Sequence, residues 1–430
     1  MLSTLKCTIQ TIFAICLTCL CSGGIGCDTN KDSNSEHTTI PKHPADGVSS
    51  ECGSVRMTQY TSSDSRWCGF DRTSPILPEF VRQGMTVAIA EPWNGSSWNG
   101  APGEACGECW ELATTFATQI VMVHDLCPIE GNPICAGSHF HFDVASEVAA
   151  KIDGGQWLGE AAVRRVPCPV TGNIHVQITA RNQWGYMQLA FFNHRFPIRE
   201  VAYRAADSAQ WHPMERCLAR WCQEEDKSTF SKGGPGGVFR LTSANGDVVE
   251  AREVLTYDVT EGSDFNTGVQ FAEAASPEGV CPFTPPGDVF IDEWGGIEGV
   301  RWEYNDWGST EVSDITSDCA AQSAACLQFK SFDGNGVHIT YRHTFPKHIF
   351  RRVTVQLKSS SGKGTVEIAP RSKDAKCTSP STFDVTGDWT TVAVNIDDSC
   401  PQTEWIHGLT ISRSNGVGDL FVDNIEFTEN

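Results

Sequence analysis

Two aspartates stand in settings that suit acid chemistry. The stretches Val123-His124-Asp125-Leu126-Cys127-Pro128 and Ser138-His139-Phe140-His141-Phe142-Asp143-Val144 each set one carboxyl beside histidine and apolar residues. The apolar run Ile120-Val121-Met122-Val123 reads as a strand, with Asp125 at its mouth. Val144, Val148 and Ile152 recur every four residues, so Asp143 should directly precede a helix. Two carboxyls beside one groove are the minimum for acid chemistry on a sugar chain. The same residues fit a plainer role, Asp143 capping the helix and Asp125 tying down a loop.

A chain of 430 residues is long enough for two or three domains with their own cores. The net charge of -21 argues against nucleic acid and against anionic polymers held by charge. Residues 170–275 are the least acidic region, with 10 Lys and Arg against 13 Asp and Glu. At the N-terminus, Lys6 precedes an apolar run from Ile9 to Leu20 and then Ser22-Gly23-Gly24-Ile25-Gly26-Cys27, which reads as an export signal. Gly26-Cys27 fits a bacterial lipid-attachment site, so membrane attachment through Cys27 is one outcome and cleavage with free secretion the other. Of 19 cysteines, 14 follow residue 27, an even number that suits up to seven disulfides in an oxidising compartment. The two-residue spacing of Cys106 and Cys109 has no second such pair beside it, so disulfides are expected there rather than zinc. Cys127 and Cys135 should restrain the loop behind Asp125.

The elements that position these residues read as strands, and the fold class is all-β. Residues 1–27 are the signal, 28–50 a polar tether, 51–169 a first domain, 170–273 a second, 274–287 a Pro-rich linker and 288–430 a third. Met85 to Ala90 reads as a strand, followed by a loop in which Trp93 and Trp98 either stack on a sugar or fold over the domain. Ile174, Val176 and Ile178 alternate with polar residues, and Asn245-Gly246 marks a tight hairpin. Trp184 and Tyr186, two apart, would share a face if they lie on a strand. In the third domain Val337–Tyr341, Val353–Leu357, Thr365–Ile368, Val392–Ile396 and Leu409–Ile411 alternate between turn-forming clusters. Trp294, Trp302 and Trp307 line a cleft or fill a core, with at least one in the core.

Several motifs come in a telling order: Cys106-Gly107-Glu108-Cys109-Trp110-Glu111, Val123 to Pro128, His141-Phe142-Asp143 and Arg164-Arg165-Val166-Pro167-Cys168. Together they resemble the first domain of an expansin, and the likeness extends over residues 51–273. It implies a six-stranded double-psi β-barrel similar to the family-45 endoglucanases, followed by an immunoglobulin-like β-sandwich that binds cellulose. Thr58-Gln59-Tyr60 resembles the expansin opening, with Asp64 displaced from the position where the hydrolases keep a catalytic base. Thr171-Gly172-Asn173, Asn193-His194-Arg195-Phe196-Pro197 and Gly268-Val269-Gln270-Phe271 carry the likeness through the second domain. The family's row of three stacking aromatics maps onto Tyr186, Trp184 beside the matched Gly185, and Trp221 near an insertion bounded by Cys217 and Cys222. These three are otherwise core residues. The ending Leu420 to Phe427 resembles, more loosely, the closing strand of a jelly-roll carbohydrate-binding module, with Asp292 and Asp423 as ligands for a structural calcium.

The resemblance implies an exported or surface-anchored monomer that binds cellulose or a related β-glucan or hemicellulose and loosens wall networks without hydrolysis. No cofactor for activity is implied. Many bacterial expansins are basic, so the acidity here departs from them and counts against pectin. Asp143 is the residue on which activity would depend, with Asp125, Thr58 and Tyr60 around the glucan. An aspartate in an apolar setting beside Phe142 could keep its proton and donate it to a glycosidic oxygen. The competing readings are an inverting glycoside hydrolase using Asp64 as base, a peptidoglycan-active barrel, and an adhesion protein without chemistry.

Overall fold

The computed structural model describes residues 52–429 apart from 62–66, 70, 94–102, 131, 137–139, 153–157, 225, 274–277, 285–286, 292, 295–301, 308–310, 321–322, 373–376 and 378–379. Cys27, Asp64, Trp98 and Asp292 therefore lie outside the described residues. Among those residues no helix is long and apolar enough to cross a membrane. The expected all-β class is what the chain adopts, in three successive sheet assemblies.

Six strands close the first assembly: β1 (Gly53–Tyr60), β2 (Thr86–Ala90), β3 (Cys109–Ala113), β4 (Thr118–Cys127), β5 (His141–Ala145) and β6 (Leu158–Val166). Their order around the barrel is β1-β5-β2-β4-β3-β6. β1 runs parallel to β5 and β2 parallel to β4, and the remaining pairs are antiparallel. Closure leaves no free edge, so the register of each strand is fixed by two neighbours. A short helix, α1 (Glu79–Arg82), precedes β2, and α2 (Ser146–Ile152) follows β5 directly, burying Val148, Ala149 and Ile152. The four-residue period thus begins one element early: Val144 belongs to β5, and Asp143 sits inside that strand rather than capping the helix. The barrel core includes Trp110, Phe140 and Phe142, whose rings meet at centroid distances of 4.9–5.7 Å.

The second assembly packs two sheets. One is formed by β7 (His175–Arg181), β8 (Met187–Phe192), β11 (Glu215–Cys217), β12 (Arg220–Gln223) and β15 (Asp264–Asn266). The other holds β9 (Ile198–Ala205), β10 (His212–Pro213), β13 (Gly237–Ser243) and β14 (Val248–Glu250). Ile174, Val176, Ile178, Leu189, Phe239 and Leu241 fill the space between them, as the alternation of the sequence requires. Asn245-Gly246 lies in the connection between β13 and β14.

The third assembly is larger. β16 (Asp288–Ile291), β17 (Glu293–Trp294), β19 (Glu311–Ile315), β20 (Cys326–Lys330), β22 (Arg352–Ser359), β25 (Thr390–Asn395) and β27 (Leu420–Thr428) form a seven-stranded sheet. β18 (Glu303–Trp307), β21 (Gly336–Pro346), β23 (Thr365–Arg371), β24 (Ser381–Asp384) and β26 (Trp405–Asn415) form a five-stranded one. Each alternating run of the sequence falls on one of these strands, except that Ile396 opens a third helix, α3 (Ile396–Ser399). Trp302 is the core tryptophan, stacked on Phe427 at 5.2 Å.

Seven disulfides use all 14 cysteines after residue 27: Cys52–Cys281, Cys68–Cys106, Cys109–Cys168, Cys127–Cys135, Cys217–Cys222, Cys319–Cys326 and Cys377–Cys400. Cys52–Cys281 has a consequence for the Pro-rich segment. The Cys281 amide donates to Glu111 at 3.3 Å, and Arg164 donates to the carbonyls of Glu278 and Gly279. The described part of this segment is a strap bound along β3 and β6. It leads into a direct contact of the third assembly with the barrel, where the Tyr341 hydroxyl donates to Glu160 at 2.7 Å and Phe116 stacks on Trp405 at 4.6 Å.

Candidate functional site

The barrel register brings one row of residues together. Thr58 on β1 lies beside Asp143 on β5, Asp143 beside Ala88 on β2, and Ala88 beside Asp125 on β4. Asp125 owes this place to a bulge: Val87 pairs with Val123 but Ala88 with Asp125, so His124 is the extra residue. One inserted residue re-aims every side chain beyond it. Neighbouring strands lie roughly 4.8 Å apart, which separates the two aspartates by about 10 Å along the row.

Asp143 ends a directed chain of hydrogen bonds. Arg56 donates from Nε to Nδ1 of His141 at 3.0 Å, which makes Nδ1 an acceptor and leaves the proton of the neutral ring on Nε2. Nε2 then donates to the Thr58 hydroxyl at 3.0 Å, and that hydroxyl donates to Oδ1 of Asp143 at 2.7 Å. Arg56 is braced by the carbonyl of Ile134, one residue before the Cys127–Cys135 bridge closes. Arg56 and Thr58 alternate on β1, and His141 and Asp143 on β5, so both pairs face one way. Phe142 faces the other and is fully buried in the core. The expectation that Phe142 gives Asp143 an apolar setting is therefore corrected by strand alternation: Phe142 turns into the core, and the carboxylate accepts the Thr58 hydroxyl.

Asp125 is differently occupied. It is only 9% exposed, and its Oδ1 accepts the backbone N–H groups of Trp67 at 3.0 Å and Leu126 at 2.9 Å. It holds a loop against the strand end, the plainer of the two roles its sequence allowed. Tyr60 continues the face of Thr58, is half-buried, and packs against the barrel core. Nearby but away from this row, Glu108 is fully buried, and burial pushes its carboxyl up to about 7 despite Arg165 and the Trp110 indole N–H.

The aromatic candidates divide. Trp93 is 7% exposed and meets Phe140 edge-on at 5.8 Å, so it folds over the barrel rather than facing a sugar. Trp221 is 6% exposed in the sandwich core with the Arg216 guanidinium over its ring at 4.3 Å, so it leaves the row of three. Trp184 is 52% exposed and Tyr186 half-buried, but both lie in the β7–β8 turn and not on a strand. The turn is tied by Asn182, whose side chain accepts both their N–H groups at 2.8 and 3.1 Å.

Asp423 does not fit a cation site. Its carboxylate accepts Ala320 N–H at 3.0 Å, Ser323 hydroxyl at 3.1 Å and Asn424 N–H at 2.8 Å. The neighbouring sulfurs of Cys319 and Cys326 are joined to each other. Donors surround this carboxylate where a calcium needs further oxygens.

The sequence named His141 only within the motif around Asp143 and did not point to Arg56, although the period-two spacing of both from Asp143 and Thr58 was available. Trp67 and Arg220 carried no local signal, although Arg220 bonds to the carbonyl of Cys68, the residue after Trp67, where barrel and sandwich join.

Residues 55–153 match the family model described as EXPB1-like domain 1. Expansin-like protein 2 of Dictyostelium discoideum is 26% identical over 275 residues, 62% of each chain. Expansin-like protein 8 of the same organism is 20% identical over 400 residues, 88% of this chain and 76% of the relative. Among solved structures, an apo expansin of Clavibacter michiganensis matches 52% of this chain and 100% of its own at 18% identity and a TM-score of 0.41. The chain spans 62% of the length of expansin-like protein 2. By its barrel match and these relatives, the chain is similar to expansin-like proteins, and residues 55–153 to the first domain of that family.

Proposed function

We propose that the barrel and the first sandwich bind a β-glucan chain of the cellulose type and loosen polysaccharide networks without cutting them. The observation that carries this reading is the inequality of the two aspartates. Asp143 accepts the Thr58 hydroxyl and lies in a row built from four strands. Asp125 is buried and engaged by two amides, so it is not the second carboxylate that activates water, and a hydrolytic reading rests on Asp64 alone. Exposed Trp184, with Tyr186 beside it, supplies an aromatic surface on the sandwich for stacking on sugar rings. The third assembly is read as a further carbohydrate-binding module, with Trp307 exposed on its edge strand.

Cellulose-paper weakening measured beside a reducing-end assay tests this. The expected outcome is weakening with no soluble sugar, and binding to cellulose above xylan, chitin or peptidoglycan. Release of reducing ends that disappears in Asp64→Ala as fully as in Asp143→Asn would instead establish an inverting hydrolase similar to family 45. Binding with neither effect would leave an adhesion protein. Export and lipid attachment at Cys27 belong to the same reading. Mass spectrometry of the mature N-terminus from a lipoprotein-processing bacterium should find a diacylated Cys27, and an unmodified terminus would refute it.

A further inference from the structure

The barrel and the first sandwich meet through a hairpin, and the loop it grips carries a tryptophan. β11 and β12 pair closely and are bridged by Cys217–Cys222. Arg216 donates to the barrel carbonyl of Gly103 at 3.0 Å and, with its other terminus, to Ile198 of the sandwich at 2.7 Å. Arg220 donates to the carbonyl of Cys68 at 2.5 Å. Its guanidinium fills the space beside Gly69, where an added Cβ would lie 1.1 Å from the terminal nitrogen; the loop there has a φ of +75°. Only glycine permits both the conformation and the approach.

The gripped loop is the one that Asp125 holds from the other side. Trp67 N–H donates to Asp125, Cys68 N–H donates to the carbonyl of His124 at 3.3 Å, and Cys68 is bridged to Cys106. Four constraints thus converge on two residues. The Trp67 side chain is half-buried and packs against the barrel core, as Tyr60 does. From Arg220 the chain continues along β12, which pairs Gln223 with Met187, the residue after Tyr186. One connected path therefore leads from the acid row, through Trp67, to the aromatic turn on the sandwich.

We propose that Trp67 forms a subsite for a β-linked glucan chain at the junction, held in place by Asp125 on the barrel side and Arg220 on the sandwich side. The inference rests on the glucan-binding reading above and adds to it the residue that joins the two halves. A preorganised indole costs little ordering entropy on binding. It also converts separate contacts on barrel and sandwich into one continuous site, so affinity should rise steeply with chain length. Arg220 acts as a positioning residue and need not touch sugar.

Calorimetry with cellotriose and cellohexaose on the full chain tests this. Trp67→Ala should weaken cellohexaose by roughly 5- to 150-fold while changing cellotriose far less, and Trp67→Phe should restore most of the loss. Arg220→Gln should flatten the same length dependence, with Arg220→Lys recovering part of it. Oxidative footprinting of the wild type gives a readout that needs no variant to fold: cellohexaose should protect the Trp67 peptide. An unprotected Trp67 in a wild type that binds cellohexaose overturns the subsite alone. A wild type that binds neither oligosaccharide nor cellulose overturns the glucan reading and the subsite with it.

Discussion

In the barrel, four residues from four strands fall into one row; in the first sandwich, three aromatics read from sequence as one row are dispersed. The difference lies in what fixes each side chain. Barrel strands are hydrogen-bonded on both sides, and a parallel and an antiparallel neighbour lock Asp143 beside Thr58 and Ala88. The sandwich aromatics sit where the sheet does not control them. Trp184 and Tyr186 depend on a turn tied by Asn182, and Trp221 on a short strand drawn inward by an inserted, disulfide-bridged hairpin. A closed sheet transmits sequence period into geometry, whereas a turn or an insertion resets it.

The largest test of this contrast is Asp143→Asn. It should abolish weakening of cellulose networks while leaving adsorption, which the proposed function assigns to the sandwich, near the wild-type level. Weakening that survives would remove the barrel row from function altogether. Next, Trp221→Ala should cost about 3–5 kcal/mol of stability in a denaturant titration, as for a buried aromatic. Trp184→Ala with Tyr186→Ala should instead leave the unfolding midpoint unchanged and weaken adsorption, by about 1–3 kcal/mol per stacked ring. If Trp221→Ala impairs adsorption without loss of stability, the division between core and surface aromatics fails.

A smaller effect is expected at Thr58→Val, which keeps the shape and removes the donor to Asp143. The loss should be about 1.5–3 kcal/mol in the activity that depends on Asp143, read as a reduced weakening rate at unchanged cellulose binding. An unchanged rate would make the directed chain from Arg56 to Asp143 a packing feature only.

The smallest concerns the junction. His194 packs against Gly107 of the barrel, its Nδ1 bonded to the carbonyl of Phe196 at 2.8 Å. Burial pushes its pKa down from 6.5 to about 4. The unfolded chain therefore binds a proton that the folded chain refuses, and this contribution is complete above about pH 6.5 and is lost as pH falls through 4. His194→Gln should narrow the fall in melting temperature between about pH 7 and pH 4.5. Identical pH profiles for variant and wild type would show that the ring does not titrate against folding.

The sequence by itself determined the all-β class, half of the twelve strands described in the third assembly and the even set of 14 cysteines that become seven bridges. Alternation and disulfide formation are local or combinatorial, so a chain read residue by residue discloses them. The resemblance also set Thr58 and Asp143 around one glucan, but not the direct bond between them. The sequence could not show that Asp143 lies inside a strand with Phe142 turned away, because a four-residue period from Val144 to Ile152 spans the end of a strand and the start of a helix. Nor could it place Asp125, whose direction depends on the bulge at His124, visible only when β4 is laid against β2. Cys68, the neighbour of Trp67, and Arg220 are 152 residues apart in order and meet only because the sandwich docks on the barrel. Contacts of that kind are decided by how finished sheets pack against one another, which only the tertiary structure specifies.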